Sequence, residues 1–184
     1  MREARYLIDR MDTVEKEIKP ALHAAGAIFK KWYALTDMIY APPGAGADIL
    51  NTRYLRWRIA HATGQDGPVI TVANKRTVWH GDTKEDIILV SRMFDAIEPS
   101  LNFLNEAYGA WEKQFALSRT GTEYALGNLR IFVEDILVPG IRWSVEIEGP
   151  DETVIAACSR LLCLGDPIRE SVPSLVYRHT HALR

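Results

Sequence analysis

Glu3 and Arg5, Arg56 and Arg58, and Glu146 and Glu148 are charged pairs split by one residue; Lys84 with Asp86 and Arg130 with Glu134 keep the same parity. In a strand, residues i and i+2 point to one face. The intervening positions are largely apolar: Leu55, Trp57 and Ile59 around the arginines, Val145 and Ile147 around the glutamates. Guanidinium and ammonium groups gathered on one surface suit a polyanion, and carboxylates among them suit a divalent metal ion. Two arrangements satisfy the alternation. One is the solvated outer face of a two-layer sheet; the other is a barrel lined with mixed charge.

The elements that would position these residues follow from periodicity. A strand is expected over Glu3–Ile8, then a helix in which Asp12 and Glu15 form a capping box and Val14, Ile18 and Leu22 share a face up to Gly26. Pro20 should kink that helix or split it. A long strand is expected from about Ile28 to Tyr40, followed by a loop marked by Pro42, Pro43, Gly44 and Gly46. Strands follow at Tyr54–Ala60, Val69–Thr77 and about Lys84–Val90. Phe94, Ile97, Leu101, Leu104 and Tyr108 have helical spacing, with Pro99 either in the first turn or introducing a kink, and a stop at Gly109. Further strands are expected near Lys113–Arg119, Leu129–Ile136 and Arg142–Ile147, then a helix opened by Asp151 and closed by Gly165, and a helical tail over 171–184. About eight strands with helices at the joins indicate an α+β fold with an antiparallel sheet that is able to close.

The chain has 184 residues, 47% of them hydrophobic and 25% charged, which suits a single soluble domain. No stretch approaches the ~20 apolar residues of a membrane helix, and no apolar leader opens the chain. A net charge of −2 provides no broad basic field for nucleic acid. Cys158 and Cys163 are expected to be reduced core residues in a cytoplasmic protein. The five histidines, including His179 and His181, form no metal pattern. Exposed strand and helix faces leave room for a homodimer.

The order of the motifs resembles the CYTH superfamily, the triphosphate tunnel metalloenzymes, which include class IV adenylate cyclases, thiamine triphosphatases and inorganic triphosphatases. Met1-Arg2-Glu3-Ala4-Arg5 is similar to the family's opening Glu-x-Glu-x-Lys, with Met1 at the first acid; that carboxylate is either missing or encoded upstream. Leu35 to Tyr40 is similar to Gln-Thr-Asp-x-Tyr-Phe, Leu55-Arg56-Trp57-Arg58 to Leu-Arg-x-Arg, and Thr71 to Lys75 to the segment with a single lysine. Lys84-Glu85-Asp86-Ile87-Ile88 resembles Arg-x-Glu-x-Glu, with Ile88 at the last acid. Leu117-Ser118-Arg119 resembles Lys-x-Arg, the lysine being lost and Lys113, of the same parity, being a substitute. Arg130 to Glu134 resembles Arg-Ile-His-Leu-Asp; parity selects Glu134 over Asp135. Gly140 followed by Val145 to Glu148 resembles Gly-x-Phe-x-Glu-x-Glu. The resemblance spans residue 1 to about residue 150.

The resemblance implies an eight-stranded tunnel with the charges inside. It implies that Arg5, Arg56, Arg58, Lys75, Lys84, Arg119 and Arg130 bind phosphate, and that Glu3, Asp86, Glu134, Glu146 and Glu148 hold magnesium or manganese. Catalysis would fall to Glu3, Lys75 and Arg119. The substrate would be ATP, thiamine triphosphate or tripolyphosphate, either hydrolysed or, for ATP, cyclised to cyclic AMP. The departures at Met1, Ile88 and Leu117 leave a second reading, a triphosphate-binding module with a degenerate metal site. A third is a barrel that packs against a partner with its charges outside.

Overall fold

Alternation sets the sheet. The computed structural model describes residues 1–138 and 141–182, with Arg142 described by its backbone alone. Eight strands run as β1 (Arg2–Ile8), β2 (Ile28–Ala41), β3 (Arg53–Ala62), β4 (Val69–His80), β5 (Thr83–Phe94), β6 (Glu112–Leu126), β7 (Leu129–Val138) and β8 (Ile141–Gly149). They form a closed antiparallel barrel in the order β1-β5-β4-β3-β2-β6-β7-β8. Short helical pieces fill the joins: α1 (Met11–Thr13), α2 (Lys19–Ala24), α3 (Ala47–Leu50), α4 (Ile97–Tyr108), α5 (Glu152–Leu161) and α6 (Val172–Ala182). The expected α+β class and closing sheet are what the chain adopts. By its internal contacts the chain divides into two compact units, each drawn from separate stretches of sequence.

The first unit comprises Met1–Tyr33, Trp79–Glu85 and Arg119–Arg169. In it β1 pairs with β8 from Arg2↔Gly149 to Ile8↔Trp143, and β7 pairs with both β8 and β6. One face of these strands is apolar. Ala4, Tyr6, Ile131, Val133, Val145 and Ile147 pack with Val14, Ile18 and Leu22 from the first helical segment and with Ile155 and Cys158 from α5. Fully burying an aliphatic side chain of this kind stabilises the fold by about 1.5–3 kcal/mol, so this layer fixes which parity faces the helices. A Cβ at Gly149 would lie 2.7 Å from Leu129 Cδ2 and 3.0 Å from Ile155 Cγ1. The missing side chain is what lets α5 close on β8.

Two helix boundaries differ from expectation. Asp12 does not cap: the helix opens after Arg10 without a side-chain cap, and the Asp12 carboxylate accepts from Lys16 Nζ at 2.9 Å. The i,i+4 ion pair has taken the group a capping box would use. Pro20 does split the segment, standing in the first turn of α2 after a π-helical turn over Val14–Ile18. At the other site Asp151 caps α5, its Oδ1 accepting from the Val154 amide at 3.0 Å. That helix ends at Leu161, before the expected Gly165. Cys163 takes the left-handed conformation (φ 52), and the Leu164 amide donates back to the Ser159 carbonyl at 2.9 Å. A non-glycine residue thus makes the C-terminal reversal. Cys163 is therefore exposed, contrary to the expectation that both cysteines lie in the core, whereas Cys158 is buried and its thiol is pushed up to about 11 by burial.

The second unit comprises Ala34–Val78, Asp86–Ser118 and Glu170–Arg184. β3 and β4 pair from Arg53↔Arg76 to Ala60↔Val69. Leu55, Trp57, Ile70 and Val72 pack against Leu104 of α4, and Trp57 Nε1 donates to the buried Ser100 Oγ at 2.8 Å. Ile39, Ala41, Ala45, Leu50 and Tyr54 form a separate core, flanked by Tyr177 of α6. The segment expected to be only loop holds α3, whose four residues are too short to show a helical period. The Ser171 hydroxyl donates to the Leu50 carbonyl at 2.8 Å and ties α6 to that core. Among the described residues no helix is long and apolar enough to cross a membrane.

Candidate functional site

The charged parity lies on the strand face away from the helices, and in the first unit it is knitted into one buried network. Arg5 on β1 forms ion pairs with Glu134 on β7 and Glu146 on β8, and donates to Ser144 Oγ at 2.8 Å. Glu134 also accepts from Arg119 Nη1 at 3.1 Å and from the Tyr33 hydroxyl at 2.9 Å. Arg5 and Glu134 are 4% and 3% exposed. Such burial requires that every charge be matched. Here the matching is reciprocal, because strand registry places the partners together: Arg5↔Glu146 and Glu134↔Ser144 are direct cross-strand neighbours.

The electrostatics follow from that packing. Burial alone would push the Glu134 carboxyl up, but the guanidinium groups of Arg119 and Arg5 outweigh it and hold the carboxyl well below the usual range. Burial would likewise lower Arg5, while Glu146 and Glu134 lock its proton in place. Tyr33 is raised, first by burial and then by the Glu134 charge, so its phenol stays a hydrogen-bond donor.

Around this centre lie four further pairs. Lys84 binds Glu3. Arg130 donates from Nη1 to Glu148 at 2.8 Å and from Nε to Glu123 at 3.0 Å. Lys31 Nζ lies 3.3 Å from the other oxygen of Glu123. Glu3, Glu146 and Glu148 each offer a carboxylate oxygen, and these oxygens all lie within 4.8 Å of one another. Three half-buried carboxylates so placed are a donor set for a hard divalent cation, which prefers oxygen ligands. Glu134 and Asp86, the other two expected ligands, are not in this trio; like its three members, each is paired with a basic group.

The second unit carries its own charged set. Asp37 clasps Arg58 through two bonds, Nε to Oδ1 at 2.6 Å and Nη2 to Oδ2 at 2.7 Å. The two-pronged geometry fixes the guanidinium plane. Lys75 forms an ion pair with Asp86, whose Oδ1 also accepts from Thr77 Oγ1 at 2.7 Å. Arg56 shares strand parity with Arg58. Leu117, at the expected lysine position of β6, is buried. Lys113 is exposed, so it does not substitute for that lysine: three pleats from Arg119, it stands at the solvated start of β6. Gly140 lies outside the described residues.

Four members of the network were not singled out from sequence: Lys31, Tyr33, Glu123 and Ser144. Each keeps the parity of a residue that was. Lys31 and Tyr33 match Asp37 on β2, Glu123 matches Arg119 on β6, and Ser144 matches Glu146 on β8. Extending parity over the full length of each strand recovers them.

No family model matches the chain, and no curated protein matches it. Solved structures share its fold. The PH1819 protein of Pyrococcus horikoshii aligns over 97% of this chain and 99% of its own, with a TM-score of 0.73 at 16% identity. A candidate adenylyl cyclase from Hippeastrum, whose structure is described as revealing a dominant triphosphatase activity, aligns over 97% and 95% with a TM-score of 0.63 at 10% identity. A candidate adenylate cyclase from Vibrio parahaemolyticus aligns over 92% and 93% with a TM-score of 0.59 at 15% identity. The closed antiparallel eight-stranded fold expected from the motifs is thereby one that this chain shares with solved structures.

Proposed function

We propose that the chain binds a triphosphate together with a divalent metal ion and hydrolyses it. The observation that carries this reading is that each acid of the Glu3–Glu146–Glu148 cluster has its own basic partner, Lys84, Arg5 and Arg130 respectively. Anion-binding and cation-binding groups are thus interleaved within one buried face. A protein that only needed a stable barrel would gain as much from aliphatic residues there. The shared fold with the Hippeastrum protein, whose dominant activity is triphosphatase, supports the same reading.

Magnesium or manganese would be held by Glu3, Glu146 and Glu148, and when bound it supplies charge neutralisation for the phosphate oxygens and orients a water. Arg5, Lys84, Arg119 and Arg130 bind phosphate oxygens, the arginines through paired hydrogen bonds. Arg56, Arg58 and Lys75 do the same work in the second unit. Glu134 and Asp37 act as positioning residues: they hold Arg5, Arg119 and Arg58 in fixed rotamers, so little reorganisation is needed when charge builds on the transferring phosphoryl group. Arg119 stabilises that charge, and Glu3 completes the cluster that sets the water.

The test is a release assay over ATP, thiamine triphosphate and tripolyphosphate with each metal. Phosphate release is expected, with losses of roughly 10²-fold or more in Arg56→Ala and Glu146→Ala. Pyrophosphate with cyclic AMP from ATP would move the reading to cyclisation. Absence of turnover on all three substrates, alongside thermal stabilisation by tripolyphosphate, would show a binding module instead.

A further inference from the structure

Phe132 stands on the wrong face of β7 for an apolar residue. Leu129, Ile131 and Val133 hold the helix-facing parity, whereas Phe132 shares the charged parity with Arg130 and Glu134. Its direct neighbours across the sheet are both acids, Glu123 on β6 and Glu146 on β8. The ring is half-buried and belongs to none of the apolar cores. Tyr33 meets it edge-on, with centroids 6.2 Å apart and planes at 71°. Arg130 Cζ lies over the ring, 4.9 Å from its centroid. Two edges of that guanidinium are already tied, Nε to Glu123 at 3.0 Å and Nη1 to Glu148 at 2.8 Å. Bonds to two strands fix its plane, and Phe132 backs one side of it. The Arg130 side chain is nonetheless 45% exposed. What remains open is the far face of the guanidinium, with Nη2 left for a phosphate oxygen.

We propose that Phe132 is a specificity-determining residue: the substrate carries a flat, uncharged heteroaromatic ring that stacks on Arg130, with Phe132 beneath. Guanidinium planes stack on bases as they do on aromatic side chains, and the cation attracts the π face of the ring. A cationic ring would meet charge of its own sign. The arrangement therefore favours a nucleoside triphosphate over thiamine triphosphate, and inorganic tripolyphosphate has no group to place there. Arg130 and Glu134 are four residues apart on β7, about 13 Å along the strand. Arg5 and Arg119, gathered at Glu134, take the far phosphates, and the remaining phosphates and the sugar span the interval. The competing role for Phe132 is a lid that keeps water from the Arg5–Glu134 pair. A lid would serve every triphosphate alike, whereas a stacking platform serves only those with a ring. This inference rests on the triphosphate reading proposed above.

Calorimetric titration of the intact chain with tripolyphosphate and with the β,γ-imido analogue of ATP, both in magnesium, tests it. Phe132→Ala should weaken the nucleotide about fivefold or more beyond any weakening of tripolyphosphate, the usual loss when a base is deprived of its stacking platform. Phe132→Trp, which keeps a ring, should bind both ligands as the wild type does. Should Phe132→Ala misfold, Phe132→Leu retains apolar bulk without a π face and takes its place in the comparison. Equal weakening of the two ligands assigns the ring to the lid and overturns the proposal. Nucleotide binding that survives the loss of the ring overturns it as well. Both outcomes leave the triphosphate reading standing, because tripolyphosphate still binds the wild type. If neither ligand binds the wild type, that reading falls first and this one with it.

Discussion

Tyr33 lies across Gly121 of β6 and gives its phenolic hydrogen to Glu134 at 2.9 Å. A Cβ at position 121 would stand 2.8 Å from the Tyr33 ring and hydroxyl and 2.9 Å from the Val133 carbonyl oxygen. One of those neighbours is backbone and cannot step aside. Gly121→Ala should therefore destabilise the fold by about 1–3 kcal/mol, the usual cost of overpacking, read from urea unfolding midpoints. Tyr33→Phe, which removes only the hydroxyl, should cost about 1 kcal/mol.

Glu134 answers two buried guanidinium groups, so Glu134→Ala should cost about 3–5 kcal/mol, the penalty for breaking a buried ion pair from one side. Its carboxyl is lowered from 4.5 to about 2, the arginines outweighing burial. A depressed folded-state value means that the stabilisation is complete above the ordinary carboxylate range and disappears as pH falls through it toward 2. Urea midpoints measured from pH 5 to pH 2 should drop for the wild type and change less for Glu134→Gln. An equal slope in both chains contradicts this assignment.

The acid cluster predicts a metal phenotype separable from folding. Glu3→Gln and Glu148→Gln should weaken manganese binding by tenfold or more in an electron paramagnetic resonance titration, through loss of a charged oxygen ligand. Asp86→Asn should leave manganese affinity nearly unchanged, because Asp86 serves Lys75 in the second unit.

Arg5, Lys84 and Arg130 are all occupied by carboxylates before any anion arrives. A divalent ion at Glu3, Glu146 and Glu148 would compete for those carboxylates and release the cations toward phosphate. Metal and tripolyphosphate should therefore bind with positive coupling of at least fivefold, equal in both directions. Calorimetric titrations run in both orders supply the comparison, and independent binding would refute the linkage.

Much of this was legible in the chain because the period of a strand is strict. The pairs Glu3/Arg5, Arg130/Glu134 and Glu146/Glu148 needed only parity to be placed on one face, and the apolar residues between them had only the helices to face. What parity could not reveal was partnership. That Glu134 serves two arginines and a tyrosine depends on strand order, which brings β1, β6, β7 and β8 into sequence around it. Tyr33 carries no local sign of its role, since nothing in the sequence marks the glycine it overlies. The Asp12 capping box failed for a related reason, a lysine four residues on competing for the same carboxylate. Local signals choose a residue's face; distant ones choose its company.

β1 alternates between two incompatible environments, with Ala4 and Tyr6 under the helices and Glu3 and Arg5 among the ions. Sliding this ribbon by a single position would drive a guanidinium into oil and leave a methyl group among carboxylates. Such a strand tolerates no insertion or deletion within its span, whatever freedom the connecting turns enjoy.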